Sequence, residues 1–398
     1  MIFGGLGRKN VINDKLWELM EQANHLTQGG YDDWDANAQT LVPLMERMMQ
    51  ISKEKEEWQV YFYVMARLFW FVQRENVNNT RLAFQMAEMF HQDYQKHLGE
   101  AVSAFGREWR VNVAGDILEF YSNYPQIDDR QMEHMLEIYR ECEEKYGSDW
   151  NYGDYTSMMW LAILNRDKEL AEEAAGKLKK VQFNNWCYIC TYGRPMIGYY
   201  ILQDDFEEAK DWIVWLIHRG MPKKYQWCFE KCQQAGEEDL VDLALVYSMQ
   251  LGKSQAFDMF FSEWKKLYEK PAVGELEDTH NVVFHALAGD WSRQEERLQL
   301  AQQDDKGRRE HKHQPLSCLF WSLCWYCYFR LLDRRGVKSV CLELEEENRE
   351  EWSCMEAAEY FERQADLLGE QMDKARKRFG YAEVKKGYEK CLLRDIVK

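Results

Sequence analysis

Apolar positions along the chain recur mainly at the spacing of amphipathic helices. Around a short polar turn near residue 165, apolar residues follow one another at helical intervals on both sides. These residues are Trp160, Leu161, Leu164, Leu170, Ala174 and Leu178. Runs of Val, Ile and Thr with a period of two are scarce, and six prolines are few for 398 residues. The pattern predicts a chain that is nearly all α-helical.

Polar corners between apolar helical segments return along the chain at separations of about 38 to 49 residues. The predicted corners are Gln73–Asn76, Ser122–Gln126, Asn165–Asp167, Gln203–Asp205, Leu251–Lys253, Gly289–Trp291 and Asp333–Gly336. This separation is close to the period of two-helix solenoid repeats. We therefore expect an array of helical hairpins, each with an apolar face that its neighbours cover.

One of these corners resembles the tetratricopeptide repeat (TPR). Tyr200 and the run Asp-Phe-Glu-Glu-Ala at 205–209 are similar to the consensus around its helix–helix corner, where a small residue lets two helices approach closely. Asp167 and Ala171 have the same spacing, and residues 289–291 resemble its glycine–aspartate–aromatic corner.

The sequence also departs from that family. The 34-residue period of the family is not kept, Asp204 stands where the corner glycine is expected, and the terminal proline is matched only by Pro222. The resemblance is strongest over residues 153–305. It implies an all-α fold, a right-handed α-α superhelical solenoid of divergent TPR-like hairpins.

Three domains are predicted from this layout: an N-terminal helical group at residues 1–97, a TPR-like array at 98–305, and a C-terminal helical cap at 306–398. The stretch 302–315 is polar and charged and is predicted to be an exposed loop. Beyond it we expect an aromatic helix at 316–335 and further helices near 354–378 and 383–395.

Charge and cysteine content indicate a cytoplasmic protein. The 51 basic and 68 acidic residues give a net charge of −17, which favours a basic or neutral partner over nucleic acid or an anionic membrane. Eleven cysteines, scattered in hydrophobic segments, are typical of reduced thiols. The first residues lack a sustained apolar signal segment. The longest apolar stretch, 316–329, is shorter than the ~20 residues that span a bilayer, so a buried helix is expected there.

Catalysis, a cofactor and a metal are not expected. Phosphate-binding glycine loops, nucleophile elbows and zincin helices are missing from the sequence. Two pairs of cysteines, Cys187 with Cys190 and Cys228 with Cys232, could supply four thiolates to zinc if their helices faced each other. Their aromatic helical surroundings favour buried core cysteines instead. A second group, in which Cys318, Cys324 and Cys327 lie near His311 and His313, is a weaker zinc candidate.

The predicted binding surface is the concave face of the array, which the first helix of each unit lines in TPR-like proteins. The candidate binding residues are Asn185, Tyr192, Arg194, Trp186, Tyr188, Tyr155 and Tyr225. Aromatic rings beside amide and guanidinium donors suit an extended peptide. Aromatic residues at helical spacing are, however, more often core residues, and polar Asn185, Tyr192 and Arg194 are therefore the preferred choice.

The sequence thus predicts a non-catalytic scaffold, a sensor or adaptor, that binds a protein or peptide. One alternative is an acidic immunity-type protein that neutralises a basic toxin. Another is a nucleic-acid-binding protein that uses its C-terminal helix, because residues 371–398 carry nine basic and four acidic residues, a net charge of +5 that leaves −22 on the rest. A base-reading motif does not accompany that charge.

Overall fold

The computed structural model describes most of the chain. Its described ranges are 13–28, 36–72, 127–146, 152–180, 194–218, 240–268, 279–310, 314–344 and 351–394, with single positions at 3, 82, 86, 89, 92, 93, 96, 97 and 99. These residues are predominantly helical, as the sequence predicts. The predicted corners at 73–76 and 122–126 lie outside them.

The helices follow one another with few other elements between them. They are α1 (Asp14–Leu26), α2 (Ala38–Glu54), α3 (Trp58–Val72), α4 (Asp129–Tyr146), α5 (Tyr152–Leu164), α6 (Lys168–Leu178), α7 (Pro195–Leu202), α8 (Phe206–His218), α9 (described over 240–250), α10 (Ser254–Tyr268), α11 (Thr279–Leu287), α12 (Gln294–Arg309), α13 (Pro315–Arg334), α14 (Cys354–Ala375) and α15 (Tyr381–Leu392). Two short strands, β1 (Ser339–Cys341) and β2 (Glu351–Ser353), pair antiparallel between α13 and α14, with Val340 opposite Trp352.

The chain divides into two compact units. The first holds Met1–Tyr124, Met132–Asn151 and His311–Gln314, and the second holds Pro125–Gln131, Tyr152–Glu310 and Pro315–Lys398. The predicted division into three domains stays a prediction.

The first unit is built on α1, α2 and α3, with α2 packed against both of the others. Asn13 caps the start of helix α1. Its side-chain oxygen accepts a hydrogen bond from the backbone N–H of Leu16, which leaves one fewer unsatisfied N–H in the first turn. Leu16, Met20 and Ala23 lie on one face of α1 and are buried. A corner that the sequence analysis missed separates α2 from α3, with Glu56 in a left-handed conformation.

The second unit is a series of helical hairpins with one recurring corner. In each corner one residue has a positive φ angle, its N–H bonds to the carbonyl three residues earlier, and the next N–H bonds to the carbonyl five residues earlier. This is the Schellman arrangement, which satisfies the last carbonyls of the first helix. The positive-φ residues are Arg166, Asp204, Gly252, Gly289 and Gly336. All five corners predicted for this part of the chain are confirmed as ends of helices.

Consecutive hairpins lie side by side. Gly198 of α7 packs closely against both α5 and α9. A Cβ atom at this position would lie 2.6 Å from Ile163 Cδ1 of α5 and 3.1 Å from the ring of Tyr247 in α9. At the corners, Asp204 lies 3.6 Å from Lys168 Nζ and 2.5 Å from Lys253 Nζ. Asp204 therefore links its own corner to those of the hairpins before and after it.

The aromatic helix α13 forms the core of the C-terminal part. Its side chains are buried on all faces, and it packs against α11, α12, α14 and α15. The predictions of a helix at 316–335 and of its burial over 316–329 are confirmed, as are the two helices predicted after it. None of the helices in the described ranges is both long and apolar enough to span a bilayer.

The predicted loop at 302–315 is wrong as far as residue 309, because helix α12 continues through it. The buried carboxylate of Asp305 accepts hydrogen bonds from Arg308 and Arg309, at 2.8 Å each, and from the Tyr360 hydroxyl at 2.9 Å. Charges three and four residues apart thus pair on the helix itself, so a polar composition did not indicate a loop here.

Candidate functional site

Most residues of the predicted binding surface lie outside the described residues. These are Asn185, Trp186, Tyr188, Tyr192 and Tyr225. Of the two that are described, Tyr155 is half-buried in the first turn of α5, and Lys177 Nζ lies 5.5 Å from the centre of its ring. Arg194 is exposed and directly precedes α7.

A row of aromatic rings crosses the hairpin formed by α7 and α8. The ring centroids of Tyr199 and Tyr200 are 5.0 Å apart, those of Tyr200 and Trp212 6.2 Å, and those of Trp212 and Trp215 4.5 Å with nearly parallel planes. Tyr200, Trp212 and Trp215 are half-buried, whereas Tyr199 is buried. We call Tyr199, Tyr200, Trp212 and Trp215 the ring row.

Two charged side chains, those of Lys179 and Glu172, contact the tyrosine end of the ring row. Lys179 Nζ lies 5.3 Å from the ring of Tyr199 and 5.6 Å from that of Tyr200, distances at which a cation is attracted by the ring face. The Tyr199 hydroxyl donates a hydrogen bond to Glu172 of α6. Burial and this bond raise the pKa of Tyr199, so its hydroxyl is a neutral donor near pH 7. Burial also raises the pKa of Tyr200.

Local sequence positions these rings. Pro195 occupies the first turn of α7, where its missing N–H costs nothing. The corner at Asp204 then reverses the chain, and Trp212 and Trp215 follow at i and i+3 on one face of α8. Tyr200 was noticed in the sequence only as part of the repeat motif, and the two tryptophans were missed. Their i, i+3 spacing after the Asp205 corner was the available signal.

The ring row provides a surface of flat apolar ring faces beside the ammonium group of Lys179 and the carboxylate of Glu172. Aromatic rings give a large contact area with little loss of side-chain freedom, and they are enriched in protein interfaces. Lys179 and Glu172 could orient a bound chain through its charged groups. The arrangement therefore suits recognition of a polypeptide.

Five of the six cysteines whose side chains are described are buried free thiols, namely Cys318, Cys324, Cys327, Cys354 and Cys391, whereas Cys341 is an exposed free thiol. Burial raises the pKa of Cys318 and of Cys391 to about 12 and that of Cys327 well above its usual value, so these groups are poor metal ligands and poor nucleophiles. Groups of side chains that could hold a metal ion are not found among the described residues. The paired cysteines at 187, 190, 228 and 232, and the histidines at 311 and 313, lie outside those residues.

The basic C-terminal segment packs against its own unit. The buried Arg376 donates a hydrogen bond to the carbonyl of Ile127 at 3.0 Å, and burial lowers the pKa of this guanidinium to about 10. Arg394 pairs with Asp258. Lys385 lies 2.7 Å from Glu362 and 2.8 Å from Asp366.

In comparisons with known proteins, no protein-family model, no curated protein and no solved structure matches this chain.

Proposed function

We propose that this chain is a non-catalytic, cytoplasmic helical-repeat scaffold that binds a protein or peptide as a sensor or adaptor. In this proposal its hairpins form a right-handed α-α superhelical solenoid of divergent TPR-like units. The recurring Schellman corner, the side-by-side packing around Gly198 and the link from Lys168 through Asp204 to Lys253 support the stacking. Free thiols among the described cysteines support a reducing compartment.

The observation that carries the binding role is the ring row beside Lys179 and Glu172, with its three partly exposed rings. We propose that Tyr200, Trp212 and Trp215 contact the partner, and that the predicted residues around them in sequence extend the same surface. Arg194, exposed at the start of α7, would bind a carbonyl or a carboxylate of the partner.

Two steps test this proposal. First, native mass spectrometry of the protein from its own host, compared with a denatured sample, detects a bound polypeptide as a mass that denaturation removes. Second, titration calorimetry compares that partner's affinity for the unchanged protein and for a Trp212→Ala, Trp215→Ala variant. Large aromatic anchors contribute ~2 kcal/mol each, so we expect a loss of roughly 30-fold if one of the two tryptophans is an anchor and roughly 1,000-fold if both are and their contributions add.

Trp291→Ala provides the matched control for the loss of a tryptophan. Trp291 is also half-buried in the second unit, but it packs against Tyr328 and under Arg335, away from the ring row. The control should bind the partner with unchanged affinity. Unchanged affinity of the Trp212, Trp215 variant would contradict a binding role for the ring row.

The immunity-type alternative is favoured by one observation, the net charge of −17. Binding of a basic toxin through acidic surface would weaken steeply as salt rises, whereas a complex held by aromatic contacts would change little. The nucleic-acid alternative has less support, because Arg376, Lys385 and Arg394 already bind groups within their own unit.

A further inference from the structure

One side of α8 carries carboxylates and indole rings in a single stripe. Asp205, directly before the helix, is followed by Glu208, Trp212 and Trp215 at intervals of three and four residues, so these side chains lie along the same side of α8. The two acidic residues are exposed and the two tryptophans are half-buried. Two acidic groups therefore continue the tryptophan part of the ring row along α8.

The same carboxylates lie near the tyrosine part of the ring row. Burial raises the pKa of the Tyr200 hydroxyl, and the charges of Glu208, Asp205 and Glu172 raise it further. Exposed carboxylates have this effect only when they are close, because solvent and salt screen more distant charges. Glu172 also accepts a hydrogen bond from the Tyr199 hydroxyl. The rings thus lie among acidic groups from both α6 and α8.

Lys179 shows that this place attracts a cation. Its ammonium lies 5.3 Å from the ring centre of Tyr199 and 5.6 Å from that of Tyr200, where ring faces and carboxylates both favour positive charge. Lys179 directly follows α6 and is exposed, so its side chain can move away without leaving a buried site empty. Among the described groups that act on Tyr200, three carboxylates outnumber this one ammonium, and the local charge stays negative.

We infer that the ring row binds an arginine side chain of its polypeptide partner, at the position that the Lys179 ammonium occupies. A guanidinium is planar, so it can stack on an aromatic face while the N–H groups at its edge donate hydrogen bonds to carboxylates such as those of Asp205 and Glu208. An ammonium is compact and strongly hydrated and cannot stack in this way. An acidic segment would be repelled by the same carboxylates.

This inference rests on the function proposed above, since it names the group that the ring row recognises, but the two can be tested apart. The Trp212→Ala, Trp215→Ala variant tests binding of the native partner, whatever the sequence of that partner. Peptides that differ only at arginine test the guanidinium. If the tryptophan variant loses the native partner while the peptides bind alike, the proposed function stands and the inference is overturned.

The probe is a fluorescein-labelled, glycine-rich peptide with arginine at every third position. Fluorescence anisotropy compares it with two peptides that carry citrulline or lysine at the same positions. Citrulline keeps the planar shape without the charge, and lysine keeps the charge without the plane. The arginine peptide should bind at least about tenfold more tightly than the citrulline peptide and about threefold more tightly than the lysine peptide. Equal binding of the arginine and lysine peptides would show attraction by net charge alone and would overturn the inference.

The variant pair Asp205→Asn, Glu208→Gln should weaken binding of the arginine peptide by about tenfold, because it removes both charged acceptors on α8. Asparagine at 205 keeps an oxygen that can accept the hydrogen bond from the backbone N–H of residue 208. The matched control, Glu359→Gln with Glu370→Gln, makes the same change in net charge at exposed positions of α14, a helix that contributes no ring to the ring row. The control should bind as the unchanged protein does, and an equal loss in both pairs would overturn the inference.

Lys179→Gln removes the ammonium that competes with the arginine, so it should raise the affinity for the arginine peptide by about threefold. Lys180→Gln is its matched control, because it makes the same change in net charge at the next residue, which is also exposed but is not the lysine that lies over the two tyrosine rings. The control should leave the affinity nearly unchanged. Circular dichroism verifies that each variant folds. An affinity that falls in the Lys179→Gln variant, or that rises equally in both variants, would overturn the inference.

Discussion

Substitution of Gly387 by alanine tests how closely α15 packs on the hairpin array. A Cβ atom at this position would lie 2.2 Å from the carbonyl oxygen of Met249 and 3.0 Å from Cα and N of Gly252. Carbon–oxygen contacts of this kind normally measure about 3.3 Å, so α15 would have to move by roughly 1 Å. The contacting atoms are backbone, and a change of rotamer cannot relieve the overlap.

The expected change in the free energy of unfolding is the sum of two opposing contributions. Overpacking of a dense contact costs about 1–3 kcal/mol, and the upper part of that range applies where rigid backbone meets the new atom. Replacing glycine by alanine inside a helix contributes about 1 kcal/mol in the opposite direction. We expect Gly387→Ala to lower the free energy of unfolding by about 2 kcal/mol, or the midpoint of thermal unfolding by about 4–8 °C.

Gly176→Ala is the matched control. Gly176 also lies inside a helix, α6, but a Cβ atom there would meet nothing within 4 Å. Only the higher helix propensity of alanine then acts, and the free energy of unfolding should rise by about 0.5–1 kcal/mol. Thermal unfolding followed by circular dichroism compares both variants with the unchanged protein, and hydrogen exchange at residues 381–392 detects local release of α15. A Gly387→Ala protein as stable as the control would refute the close packing of α15 on α9.

Two other predictions concern buried polar and sulfur groups. Asp305→Asn should lower the free energy of unfolding by about 3 kcal/mol, because it leaves the charges of Arg308 and Arg309 without their buried carboxylate. Urea unfolding measures this change, and a decrease of less than about 1 kcal/mol would contradict the prediction. In the folded protein at pH 8, Cys341 should react with a maleimide before Cys318, Cys327 and Cys391, because Cys341 is exposed and burial raises the pKa values of the other three. Peptide mass spectrometry after brief labelling measures the order, and equal rates would contradict the burial of these thiols.

The helices and corners of the second unit could largely be predicted from sequence. Apolar residues at helical spacing fix which face of each helix is buried, as with Leu170, Ala174 and Leu178 of α6. Asp204 and the glycines at 252, 289 and 336 accept the positive φ angle that the reversal needs, whereas at the remaining corner that angle is adopted by Arg166. These patterns involve residues that are close together in the chain, so they can be recognised in a single sequence.

Features that depend on distant contacts could not be predicted. The corner at Glu56 lies in a run of Lys and Glu with no turn-forming residue, so its reversal depends on packing of α2 against α3. The ladder of β1 and β2 spans three residues on each side, too few for a period of two to be recognised. The ring row joins α7 to α8 across a corner, and spacing along the chain does not show which rings meet.

Contacts with neighbouring elements account for the residues at three corners of the second unit, those at Arg166, Asp204 and Gly252. A left-handed residue other than glycine costs about 1–2 kcal/mol, yet Arg166 donates hydrogen bonds to the carbonyls of Phe379 at 2.6 Å and Gln250 at 3.0 Å, and charged bonds of this kind contribute a similar amount. Asp204 uses the same position to link Lys168 and Lys253. Gly252 adopts its positive φ angle without the cost of a Cβ atom, and its backbone lies so close to Gly387 of α15 that a Cβ at 387 would be 3.0 Å from it. The residue at each of these three corners is therefore matched to the neighbouring element that it contacts, which a motif defined within a single hairpin does not describe.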